Sequence, residues 1–296
     1  LDRKTLEVAM ALNARKFKDR LLTYVLWSSM ILVIIVLLSI LVFIVTQGIG
    51  AISIEFLTQP PRNSMTEGGI LTPLIGTLQL IIVSMMFSLP VGVCTAIYLV
   101  EYAKEDIYTT TLRLAIRSLA GIPSVVYGLF GLSFFCILLR FKPSLLSAGL
   151  TLGCLALPLI VGAAETALQA VPQSLRDAAY ALGATKWQTI SKVVIPAALP
   201  SVLTGAILSV GRVAGETAPI MFTGAAFFTP GIAKSLFDEV MALPFHVYVL
   251  ATAGTFIDKT RPLQYGAILV LMALVLGITL IGVIMRAKLS RRDYLM

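Results

Sequence analysis

The chain has 296 residues, 58% of them hydrophobic and 13% charged, a balance that soluble domains of this length rarely reach. The net charge of +8 invites a nucleic-acid reading, but the Lys and Arg residues lie almost entirely outside the long apolar runs, where they report membrane orientation instead. Cys94, Cys136 and Cys154 all fall inside apolar runs without metal-ligand spacing and read as small hydrophobes.

Six apolar segments are predicted to span, near 23–46, 72–100, 112–139, 145–169, 197–225 and 263–285. A helix of about 20 such residues crosses about 30 Å of hydrocarbon. The expected fold class is therefore all-α, an integral membrane bundle of six helices. The first segment follows a basic lead, 1–22, read as a solvated anchor with some helix. Its apolar part is too long for a cleaved signal sequence and ends in no small-residue cleavage site, so it reads as a retained helix. With the lead in the cytoplasm, the inner segments are 1–22, 101–111, 170–196 and the tail 286–296. Sixteen Lys and Arg then fall on or beside the inner segments and six on the outer side, which places both termini in the cytoplasm of a multi-pass protein.

Two outer connections are long. The first, 47–71, holds Pro60-Pro61 and Gly68-Gly69 and reads as a loop. The second, 226–262, holds Phe227-Phe228, Pro230-Gly231 and Leu243-Pro244, and short helices lying at the surface are expected there. Leu89-Pro90-Val91-Gly92 in the second span and Gly121-Ile122-Pro123-Ser124 in the third are expected to bend their helices. Such breaks survive in a membrane where protein or a water-filled cavity satisfies the freed groups. The second and third spans are thus expected to line the bundle interior, although ordinary packing kinks would look the same.

A polar insertion separates the fourth and fifth spans, Pro172 to Trp187. Its Ala, Leu and Arg content favours a short helix, and Gly183 is placed to end it. Leu175, Ala179 and Leu182 recur at spacings of four and three, on one face, with nothing of their own chain expected to cover them. Docking into another protein and lying on the membrane surface are equally compatible with that pattern.

The fifth span carries two charges in Gly211-Arg212-Val213-Ala214-Gly215-Glu216-Thr217-Ala218-Pro219. Arg212 falls near the middle of the predicted span, where a charge costs on the order of 3 kcal/mol on insertion scales. Glu216 follows one turn later on the same face. Gly211 and Gly215 form a small-xxx-small pair that lets a helix or ligand approach closely. An ion pair joining two helices and a role on a transport path both fit. The second has a chemical argument: an oxyanion entering hydrocarbon needs fixed donors, and guanidinium offers a planar fork matched to it. Glu216 would then hold Arg212 until the anion displaces it, or bond a protonated oxygen of the anion.

Residues 177–200 resemble the EAA loop of ABC importer permeases, whose pattern is Glu-Ala-Ala, three residues, Gly, nine residues, Ile-x-Leu-Pro. Here Asp177, Ala178, Ala179, Gly183 and Val193-Val194-Ile195-Pro196 keep the spacing, with mild substitutions. The resemblance implies a type I importer permease bundle and a loop, 172–196, that docks on an ATPase subunit. The stretch Gly211 to Pro219 resembles the fifth-helix signature of phosphate-specific transport permeases of the PstA and PstC type, and Ile122 to Phe130 resembles their third-helix motif. Glu67-Gly-Gly69 and Leu243-Pro-Phe-His-Val-Tyr248 are closer to the PstA side. This implies ATP-driven inward transport of inorganic phosphate, with Arg212 and Glu216 needed for it and Gly211, Gly215 and Thr217 beside the path. It also implies a PstC-like second permease, two PstB-like ATPases that bind the ATP and Mg, and a PstS-like binding protein. One departure stands out: many PstA-like chains carry an Arg in the fourth helix where this chain has Gly162. Glu165, nearby, reads as structural.

No G-x-x-x-x-G-K-[ST] loop occurs, so ATP is expected on a separate chain. No nucleophile–base set points to an enzyme. His246, the one histidine, is expected to meet a binding protein or solvent. Permeation of another oxyanion (phosphonate, sulfate or molybdate), a secondary anion carrier and a signalling scaffold are the competing functions. A carrier would tolerate Gly183→Asp; an ATPase-driven permease would lose transport while still assembling.

Overall fold

Apolar runs in hydrocarbon have no hydrogen-bond partner but themselves, and helices satisfy every backbone group internally. The computed structural model, which describes residues 3–229, 231–252 and 257–293, follows that rule almost throughout. Pro230 of the second outer connection and residues 294–296 of the tail lie outside the described residues.

The chain begins with α1 (Arg3–Gly48), so the basic lead and the first span are one helix. The first outer connection holds α2 (Ile54–Thr58) and a minimal antiparallel pair, β1 (Pro61–Arg62) with β2 (Glu67–Gly68). Gly68 has φ +88°, and a side chain at Gly69 would strike the Phe56 carbonyl, so the Gly-Gly pair closes a turn that L side chains would strain. The second span is α3 (Leu71–Ile97), extended by a π-helical turn, Tyr98–Tyr102. Pro90 sits inside α3 without ending it.

The third span bends where Gly121 to Ser124 was expected to bend it, but as a full break and not a kink within one helix. It divides into α4 (Ile107–Leu119) and α5 (Ser124–Gly131), the latter continued by π-helical turns to Leu138. The two arms meet at 101°. Gly121 and Pro123 stand at the elbow, where proline pushes the residue before it out of helical geometry. The Tyr127 hydroxyl, on the first full turn of α5, donates to the Leu119 carbonyl at 3.0 Å and spans the break.

The fourth span, α6 (Leu145–Gln169), is the spine of the molecule. It packs most extensively on α3. Side chains at Gly149 and Gly153 would run into Val83 and Phe87 of α3, and one at Gly92 of α3 into Ile160; small residues at these points let the two backbones close up. Leu80, Leu152, Ile160 and Ile220 lie at the centre of the resulting core.

After α6 come α7 (Gln173–Ala181) and α8 (Lys186–Thr189), the latter started by a Thr185–Gln188 capping box. From α8 the chain passes through π-helical turns into α9 (Ile195–Gly215), making one helical segment, Lys186–Gly215. The predicted fifth span, drawn to residue 225, instead ends at Gly215. Glu216 turns extended, and the chain resumes as α10 (Ala218–Thr223).

The second outer connection also differs from expectation. Its helix, α11 (Leu243–Thr252), is not at the surface: Leu243, Phe245 and His246 are buried, and the Leu243 N–H donates to Thr77 Oγ1 of α3 at 2.8 Å. The reason is composition, because Met241-Ala242-Leu243-Pro244-Phe245 offers apolar surface that only the core can cover. The last span is α12 (Ile257–Asp293), which packs on α9, α1 and α11. Five described helices are long and apolar enough to cross a membrane, six with the elbowed α4–α5 pair.

Candidate functional site

Two regions matter, the end of α9 and the loop that precedes it. Arg212 lies in the last turn of α9, not halfway along a span. Free carbonyls at a helix C-terminus favour a cation there. Its Nε lies 3.5 Å from Glu216 Oε1, with the Arg212 side chain 41% exposed and that of Glu216 19%. The spacing that suggested a shared helical face places them together, but Glu216 is already beyond the helix, with its N–H held by the Val213 carbonyl. The pair therefore marks a break between α9 and α10. Tyr127 of α5 lies within electrostatic reach of Arg212.

The two glycines part company. A side chain at Gly211 would sit 3.5 Å from Thr279 of α12, whereas Gly215 faces open space. Gly211 thus belongs to a helix seam, and Gly215 leaves room beside the ion pair. Thr217 is half-buried at the break, its carbonyl accepting from the Met221 N–H.

In the loop, α7 ends where expected: Gly183 takes φ +81°, the left-handed geometry of a helix C-terminus. The expected apolar face is only partly left uncovered. Ala179 turns inward, while Leu175 and Leu182 are exposed. Ala178 joins them outside, with Asp177, whose carboxylate accepts from Gln173 at 3.0 Å. Pro196, in the first turn of α9, is also exposed.

The loop also has more of its own chain to rest on than its sequence implied. Arg176 is buried beneath α7. Its Nη2 lies 2.8 Å from Glu101 Oε1, with the two side chains 10% and 8% exposed. It also donates to the Val171 carbonyl at 2.6 Å and the Leu168 carbonyl at 3.0 Å. Next to Glu101, the Tyr102 ring takes Lys186 Nζ at 4.8 Å from its centroid, a cation–π contact. The π-helical end of α3 thereby grips both limbs of the loop. A third ion pair, Arg113 Nε to Glu165 Oε1 at 2.8 Å, ties α4 to α6. Sequence reasoning treated Arg176 and Arg113 only as topology charges and left Glu101 unused; nothing local pairs residues 75 apart.

His246 meets neither solvent nor an open surface. It is 4% exposed, and its Nδ1 has no hydrogen-bond partner among the described residues. Burial pushes its imidazole down to about 4, so it is neutral in the folded protein at ordinary pH. No cluster of three or more His, Cys, Asp or Glu able to hold a metal occurs among the described residues.

The pattern of binding-protein-dependent transport system inner membrane components matches residues 88–292, which takes in the elbow, the loop and both ends of α9. The chain belongs to that family. The permease is 35% identical over 283 residues to the phosphate transport system permease protein PstA of Mycobacterium leprae, covering 94% of this chain and 91% of the relative. It is 32% identical to the PstA of Haemophilus influenzae, over 86% and 89% of the two chains. A probable ABC transporter permease, YqgI of Bacillus subtilis, is 31% identical over 89% and 94%. Among solved structures, a bacterial alginate ABC transporter aligns with a TM-score of 0.65 at 14% identity, over 90% of the permease and 93% of that chain. The MetNI methionine ABC transporter aligns with a TM-score of 0.57 at 20% identity, over 74% and 97%. At those identities the likeness is one of fold, that of ABC importer permeases.

Proposed function

We propose that this permease carries inorganic phosphate inward across the cytoplasmic membrane, driven by ATP hydrolysed on a separate chain. The observation that carries the reading is the Arg212–Glu216 pair at the open break between α9 and α10. A guanidinium at such a position is retained where it meets an oxyanion, and the PstA relatives are named for phosphate. A PstC-like permease faces this one across the pathway, two PstB-like ATPases hold the ATP and Mg, and a PstS-like protein delivers phosphate at the outer connections. Both termini lie in the cytoplasm, in keeping with the distribution of Lys and Arg. The exposed Leu175, Ala178, Leu182 and Trp187 surface rests on an ATPase.

In this mechanism, Glu216 holds Arg212 loosely when the path is empty. Phosphate arriving at the break takes over the fork of the guanidinium, and Glu216 bonds the protonated phosphate oxygen. Movement of the ATPases shifts the 172–196 loop and opens the path inward.

The test is ATP-dependent uptake of labelled phosphate at matched membrane abundance. Arg212→Gln is expected to lower uptake by about tenfold or more. Undiminished uptake would remove Arg212 from the path. Glu216→Gln is expected to shift the pH dependence of uptake; full uptake with an unchanged profile would end its exchange role.

A further inference from the structure

Where the π-helical end of α3 meets α4 and α6, a cavity of about 150 Å³ opens. It is separate from the Arg212–Glu216 pair, neither residue of which lines it. Arg113 and Arg117 enter from α4; Gly162, Glu165, Thr166 and Gln169 enter from α6. The two arginines are one helical turn apart on the face toward α6, where like charges repel. One carboxylate answers them. Glu165, 8% exposed, lies 2.8 Å from Arg113 Nε, as a charge contact and not an aligned hydrogen bond. Arg113 Nη2 is held by the Leu99 carbonyl at 2.9 Å. Arg117 has no ion pair among the described residues.

The cavity therefore holds two guanidiniums against one carboxylate. Leu99, Pro158 and Val161 form part of its wall, and apolar walls strengthen every charge interaction inside. The Gln169 amide spends one donor on Glu165, at 3.4 Å, and keeps a second. Gly162 keeps the space clear, because a side chain there would meet nothing within 4 Å. Converging guanidinium and amide donors with surplus positive charge match a phosphoryl group.

We infer that this cavity binds a phosphate group at the inner end of the permease. The group comes from the transported ion as it leaves, or from the headgroup of an anionic lipid. The first source rests on the phosphate reading given above; the second does not.

The experiment uses the full transporter, without binding protein, on an Arg212→Gln background so that the pathway site is silent. In phosphatidylcholine nanodiscs, binding of labelled inorganic phosphate is measured. In phosphatidylglycerol nanodiscs, retained lipid is measured by native mass spectrometry. Arg117→Gln changes an exposed side chain and Gly162→Leu grows into open space, so both variants assemble. Each is expected to weaken binding by about tenfold in one of the two arms. A loss in the first arm identifies the ion, and a loss in the second the lipid; either supports the site. Phosphate binding and lipid retention both unchanged in both variants would overturn it. Failure of the phosphate reading shows separately, as absence of ATP-driven phosphate uptake by the otherwise unaltered transporter.

Discussion

His246 illustrates how much one side chain's surroundings decide. Its ring is buried and its pKa lies near 4, against about 6.5 in an unfolded chain. Between those values the unfolded chain binds the extra proton and the folded one does not, so stability is full above about pH 6.5 and drains away as the pH falls toward about 4. Thermal unfolding of the purified transporter should show that loss, and His246→Leu should flatten it while leaving stability near neutral pH unharmed. An identical acid slope in the two proteins would mean that the imidazole is not the group responsible. A lone His in an outer loop gave no sign of this, because its burial comes from α11 folding into the core beside α3. Arg212 is the opposite case. Its cost in hydrocarbon made it conspicuous from composition alone, yet its place at a helix end depended on where α9 stops. Gly215 before the turn and Pro219 after it did mark a possible stop, but the apolar run continued past them and read as one span.

Among the elements, α7 and the end of α3 are joined by a buried ion pair, Arg176 with Glu101. Removing one partner from a buried ion pair strands the other and costs about 3–5 kcal/mol. Glu101→Ala should therefore lower the unfolding temperature and loosen the loop, leaving ATP hydrolysis poorly coupled to uptake. Adding Arg176→Met should recover much of the stability but not the coupling. If Glu101→Ala alone keeps both, the junction is ornamental. The loop's short helix and its terminating Gly183 were readable, since each depends on neighbours within a few turns. The inward face was not, because Leu175, Ala179 and Leu182 satisfy helical spacing equally well whichever side carries Arg176. Apolar length likewise located each spanning segment, and Gly121 and Pro123 marked the bend in the third, but nothing local set its angle at 101°. Hydropathy averages over a break of four residues.

At the scale of the molecule, the spine of α3 and α6 holds the core, and the other spans are arranged around it. Six crossings, two charged helix regions and one loop between the fourth and fifth were legible because the membrane imposes length, backbone closure and charge placement on any sequence. Which residues converge from distant crossings was not, since apolar all-round helices carry little phase information. The unbroken run from Lys186 to Gly215 has a mechanical meaning. Its 30 residues make a rod of about 45 Å, with the α7–α8 loop at one end and the Arg212 guanidinium at the other. Tugging the near end must swing or slide the far end, and the kink after Gly215 is where that stroke is taken up. One residue inserted between 203 and 204 would twist the far end by about 100° without disturbing either terminus of the rod. Fuel consumption should then persist while cargo delivery stops; continued delivery would mean that force travels by another route.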